Sequence, residues 1–178
     1  VLWSAAIASD GRPDRLVVAQ VAALDGAVVD EPAIPFTLRD MDGRERSLDE
    51  FRGKVVFLNF WATWCPPCIE EMPSMLALSQ SLRDRPFVMV AVSADDDGEE
   101  DALRSFLREA GFGPEDAVIL RDPSLSVARS YGTRLLPETY LIDGRGHIVG
   151  RFMGAKDWQG EAAHRLIERL FRAPWGRA

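Results

Sequence analysis

Cys65 and Cys68 are the only cysteines in 178 residues, and they stand three apart in Cys65-Pro66-Pro67-Cys68. A pair at this spacing forms and breaks a disulfide with little backbone motion, so the chemistry it points to is thiol–disulfide exchange through a mixed-disulfide intermediate. A structural bridge explains them poorly, because so small a loop constrains the unfolded chain very little. A chain of this length buries about 70% of its unfolded surface and needs no staple. A structural zinc site wants four Cys or His ligands, and only His147 and His164 are there to complete one. Cys65 stands where a helix begins, and the free amides and positive end of that first turn favour a thiolate. Cys68 follows one turn later on the same face. Cys65 is therefore assigned the attack on a substrate disulfide and Cys68 the resolution of the mixed disulfide.

The neighbours refine this assignment. Pro66 and Pro67 suit a first helical turn but carry no N–H, which removes two amides that would otherwise donate to the Cys65 sulfur. The expected couple is relatively reducing. Glu71, three residues after Cys68, can share its helix face and shuttle a proton during resolution while raising the thiol pKa as a like charge. The plainer alternative for Glu70 and Glu71 is that both complement the positive helix end. Trp64 is expected beside the thiols on a docking surface, and Trp61 in the core.

The elements that must hold these residues can be read from the pattern. Val55 to Trp61 is a continuous apolar run suited to a central strand buried on both faces, and Phe87 to Ser93 is another. Pro66 to about Arg83 and Glu99 to Ala110 carry helical spacing, the second ending at Gly111. Val118-Ile119-Leu120 and the segment from Ser124 to Tyr131 give a third strand and helix. Thr139 to Phe152 reads as a hairpin about Asp143-Gly144-Arg145-Gly146, and Asp157 is expected to cap a last helix through about Phe171. Phe36-Thr37-Leu38 reads as a short strand, and Ser47-Leu48-Asp49-Glu50 has the form of a capping box. The fold class is α/β, a mixed sheet flanked by helices. Residues 1–30, with an apolar patch at Leu16 to Leu24 that fits helix or strand, are set apart as an N-terminal extension of unknown role. Pro32-Ala33-Ile34-Pro35 marks the start of the domain at 31–178.

Composition excludes several classes. The chain is 47% apolar and 28% charged, as in an ordinary globular domain. Its net charge of −7 is concentrated in Asp95-Asp96-Asp97-Gly98-Glu99-Glu100-Asp101, read as a solvated loop whose acids favour the next helix start. That loop lacks the ligand order of an EF-hand. No basic stripe supports nucleic acid as a partner. No apolar run reaches the ~18 residues of a membrane span. The first residue is Val1 rather than Met, and a signal or membrane anchor upstream is an expectation on that ground.

A strand, a turn, Cys-x-x-Cys and a helix form a specific signal for a thioredoxin-like motif. The string from Gly53 to Pro73, centred on Trp61-Ala62-Thr63-Trp64-Cys65-Pro66-Pro67-Cys68, resembles the thioredoxin-like family of extracytoplasmic thiol–disulfide oxidoreductases (TlpA/ResA/CcmG-like). Tyr131-Gly132 and Leu136-Pro137-Glu138-Thr139-Tyr140 resemble that family's second motif. The resemblance runs from about Ile34 to Leu170. It implies a thioredoxin-like fold, Cys65 as nucleophile, Cys68 as resolving thiol and Glu71 as the active-site acid. It also implies a cis Leu136-Pro137 bond, against a base rate of about 5–6% for X-Pro bonds, with Leu136 offering its backbone to a substrate chain. Trp64, Pro66, Leu136 and Pro137 are thereby expected at the substrate-binding surface. Asn59 departs from cytoplasmic thioredoxins, which carry a buried aspartate there, and this throws weight onto Glu71. Glu138 is similar to the cytochrome c maturation branch.

The expected function is reduction of protein disulfides by the Cys65–Cys68 pair, in a periplasmic or other extracytoplasmic compartment and in a setting that includes cytochrome c maturation. The partners implied are protein disulfide or dithiol substrates and an upstream electron-donor thiol protein; the chain is read as a monomer with no cofactor beyond its own redox-active disulfide and no metal. The alternative is a copper metallochaperone holding the metal on the same two thiolates. A peroxidase would want Thr where Ala62 stands, and a purely interacting domain would leave the cysteine pair without a role.

Overall fold

The computed structural model describes residues 14–172; the start at Val1 lies outside them. The elements in order are α1 (Arg15–Ala23), β1 (Ala27–Pro32), β2 (Thr37–Asp40), β3 (Glu45–Ser47), a 3₁₀ turn (Leu48–Phe51), β4 (Val55–Trp61), α2 (Pro66–Ser81), β5 (Phe87–Ser93), α3 (Glu100–Glu109), β6 (Val118–Arg121), α4 (Ser126–Ser130), β7 (Glu138–Ile142), β8 (His147–Met153) and α5 (Glu161–Phe171). The strands form one mixed sheet in the order β1-β8-β7-β4-β5-β6-β2-β3. β4 lies at its centre, parallel to β5 and antiparallel to β7. Its apolar run has the composition that such a position demands, and every residue of it is buried.

The pleat of β4 sorts the core onto two faces. Val55 and Phe57 pack with α1, α2 and α5, where Leu78, Trp158, Leu166 and Ile167 are buried. Trp61, on the same side, joins Cys68, Met72 and Leu103 beneath α2 and α3. Val56, Leu58 and Phe60 face the 3₁₀ turn and α4, against Leu48, Phe51, Ala128 and Tyr131. The capping box at Ser47 and Glu50 forms as the sequence predicts.

Two expectations need correction, and one strand is added. The boundary at residue 31 is not a packing boundary. The ambiguous patch is helix α1, its Val17 and Val21 are fully buried in one cluster with α5, and β1 pairs with β8. Gly26, between α1 and β1, passes so close to Phe152 that a Cβ there would stand 2.5 Å from the ring. Asp157 caps the turn before the last helix by accepting from the Gln159 amide at 3.0 Å, and α5 starts later, behind Gly160. β3 is also a strand that the sequence reading passes over.

Candidate active site

Cys65 is the N-cap of α2, and Pro66 and Pro67 occupy its first two helical positions. Cys65 and Cys68 form a disulfide with Cα atoms 5.3 Å apart. Both are buried, Cys68 more completely. The amides of Cys68 and Ile69 both donate to the Cys65 carbonyl, at 3.0 and 3.2 Å. With two prolines before them, the first backbone donors of the helix are thus committed to helix initiation rather than to sulfur.

The disulfide opens on a groove of about 850 Å³ lined by Trp64, Cys65, Pro66 and Pro67 on one side and by α4 and the segment Gly132 to Leu136 on the other. Trp64 is 61% exposed and Leu135 82%. Leu136-Pro137 is a cis bond. The structure therefore gathers Trp64, Cys65, Pro66 and Leu136 around one groove, with Pro137 immediately following. Trp61 is buried in the core, its ring 5.8 Å from that of Phe106, and it does not line this groove.

Glu71 does not complement the helix end in solvent. It is buried on the inner face of α2, where its Oε1 accepts from Asn59 Nδ2 at 3.0 Å. Its Oε2 accepts from Trp158 Nε1 and the Lys156 amide, each at 3.1 Å. These three donors favour the carboxylate, but burial outweighs them and pushes the Glu71 pKa up to about 7. Asn59 also donates to Thr139 Oγ1 at 2.9 Å, tying β4 to β7 behind the site. Glu70 is exposed. Glu138 is buried and bonded to Arg151 Nε at 2.5 Å, which gives it a structural partner on β8.

Asp95 is the residue that the sequence reading misses. It belongs to the acidic run, yet it is 1% exposed. Its carboxylate accepts from the Thr63 amide at 3.0 and 3.2 Å, from the Thr63 hydroxyl at 2.5 Å and from the Ser93 hydroxyl at 2.6 Å. This clamp fixes the turn from Trp61 to Cys65 to the end of β5. Trp158 had no sequence signal at all, since only the tertiary fold brings it to Glu71. Among the described residues no group of three or more His, Cys, Asp or Glu is placed to hold a metal. His147 lies at the start of β8 with Nδ1 3.7 Å from Asp30.

Residues 29–166 match the model of the Redoxin family. The chain is 40% identical over 119 residues to thiol-disulfide oxidoreductase ResA of Halalkalibacterium halodurans, an alignment that covers 67% of this chain and spans 65% of the length of that relative. Among solved structures it resembles the thioredoxin domain of a thiol-disulfide oxidoreductase from Bacteroides vulgatus, with a TM-score of 0.66, 26% identity, and 82% and 99% of the two chains covered. It also resembles a thiol:disulfide interchange protein from Bacteroides sp., with a TM-score of 0.64, 27% identity, and 80% and 90% covered. With the family match running from β1 into α5 around the Cys65–Cys68 disulfide, the chain belongs to the Redoxin family and has a thioredoxin-like fold.

Proposed function

We propose that the protein is a thiol–disulfide oxidoreductase that reduces disulfides in protein clients. The observation that carries this reading is the placement of the Cys65–Cys68 disulfide at the N-terminus of α2, open to a groove whose far wall leads into the cis Leu136-Pro137 bond. In the reduced protein the Cys65 thiolate attacks one sulfur of a client disulfide, and the other leaves as a thiol once protonated. Cys68, losing its proton, then attacks Cys65, reforms the protein disulfide and releases the second client thiol. Glu71, one helical turn from Cys68 and titrating near neutrality, is the group suited to take that proton. Two electrons pass from protein to client, and an upstream thiol protein restores the dithiol. No redox group beyond the cysteine pair enters this scheme.

The proposed compartment is extracytoplasmic, with cytochrome c maturation as one setting. Support for that setting comes from Glu138 after the cis-proline, which resembles the cytochrome c maturation branch, whereas Pro66-Pro67 between the cysteines does not single that branch out. Expression of Cys68→Ser in the native host tests the reading. Mixed disulfides between Cys65 and specific clients should accumulate, and they should vanish in Cys65→Ser. Equal behaviour of the two variants would overturn it.

A further inference from the structure

We infer that the groove beside Cys65 selects clients whose cysteine lies near acidic residues, with Arg129 and Arg134 receiving the carboxylates. The inference rests on the oxidoreductase reading and adds the chemistry of its substrate. Although the chain carries a net charge of −7, the charged side chains that line this groove are both arginines. The nearby acids lie outside this lining: Glu70 is exposed on α2 but does not line the groove, Glu71 is buried on the inner face of α2, and Glu138, next to Pro137, is buried against Arg151.

The state of the two guanidiniums also differs from that of their kind. Most described arginines have a carboxylate within 4.0 Å, among them Arg46, Arg83, Arg85, Arg121, Arg151 and Arg169. Arg129 instead donates to the Ser124 carbonyl, which leaves most of its five N–H donors open. Arg134 is exposed and makes no ion pair among the described residues. They flank an apolar floor in which Trp64 and Leu135 are both exposed. Two unpaired guanidiniums beside apolar side chains match a segment that offers carboxylates next to an apolar residue, because arginine recognises a carboxylate with paired, directional hydrogen bonds. Such complementarity sets partner choice and encounter rate.

The test uses two synthetic peptides with the same intrachain disulfide, one flanked by Asp and one by Lys. Reduced protein is mixed with each in a single turnover, and release of peptide thiols is followed as the Cys65–Cys68 disulfide forms. At low ionic strength the acidic peptide should react about five- to tenfold faster, the range expected for two exposed charge contacts. The ratio should approach one at ~1 M salt, where screening acts over about 3 Å. Joint Arg129→Glu and Arg134→Glu substitution should invert it, joint replacement by Lys should retain it, and Arg165→Glu on α5 should leave it as it is. Because the readout is a ratio within each variant, a general loss of folding cannot imitate inversion. A ratio near one at low salt, or one unmoved by charge reversal, overturns the inference. The neutral hydroxyethyl disulfide separates the two levels: if the wild-type protein reduces it at an ordinary rate while showing no peptide preference, only the acidic-client inference falls. If it is not reduced at all, the oxidoreductase reading falls with it.

Discussion

Glu71 shows how one buried carboxyl couples stability to chemistry. Its three donors stabilise the ionised form, but burial wins and raises the folded pKa from 4.5 to about 7. Between those values the folded protein holds a proton that the unfolded chain has lost, so stability falls as pH rises from about 4.5 to 7 and levels off above. The full span is on the order of 3 kcal/mol. Glu71→Gln should flatten this dependence in melting experiments across pH 4 to 8, and it should also shift the pH profile of Cys68 alkylation. A wild-type protein whose stability rises through that window would contradict the account. Pro66 and Pro67 make a second prediction at the same scale. Pro67→Ala restores one amide at the second helical position, where it can donate to the Cys65 thiolate. One such donor is worth about 1.5 kcal/mol, or roughly 30 mV. The variant's potential, measured against glutathione, should therefore be more oxidising by about that amount.

At the scale of the elements, the turn between β4 and α2 is held by Asp95 from the end of β5. Asp95→Ala leaves the Thr63 amide and two hydroxyls without their acceptor, at a cost of about 2–4 kcal/mol. Denaturant unfolding should show that loss. Turnover of a small disulfide should fall under conditions where the variant is still folded, and Asp95→Asn, which keeps one acceptor oxygen, should recover part of both. The contrast between Asp95 and the cysteines shows what sequence can carry. Cys65, Cys68 and the buried strand β4 are legible because local patterns specify them, and the cis Leu136-Pro137 bond is legible through the resemblance of its segment to a known family's motif. Asp95 sits in a run of acids, and nothing in that run distinguishes the one carboxyl turned inward. Asn59 and Trp158 reach Glu71 from β4 and from the loop before α5, and Arg129 and Arg134 meet Trp64 only across the groove. These are long-range juxtapositions without a periodic signature.

For the whole molecule the same limit appears at the N-terminus. The patch from Leu16 to Leu24 is too short for its period to choose helix over strand, and its buried face becomes meaningful only once α5 supplies a partner. Val17, Val21 and Leu24 then close one end of the core that holds Phe57, Trp158 and Leu166. Asp14, which caps α1 through the amides of Leu16 and Val17, is also bonded to Arg169 of α5, at 2.9 and 2.5 Å. Residues 14–32 are therefore structural members of the domain, and removing them should do more than shorten a tail. Burying three aliphatic side chains contributes about 1.5–3 kcal/mol each, a large share of a typical 5–15 kcal/mol total. A chain beginning at Gly26 should lose at least about 4 kcal/mol and expose the apolar face of α5, seen as early denaturant unfolding and dye binding. Val21→Ala offers the milder form, costing about 2 kcal/mol. Its reduction of a small disulfide should match the parent's, since Val21 packs against α5 and lines no part of the groove. Unchanged unfolding midpoints in both variants would show that the domain begins at residue 31, as the proline-rich boundary alone implies.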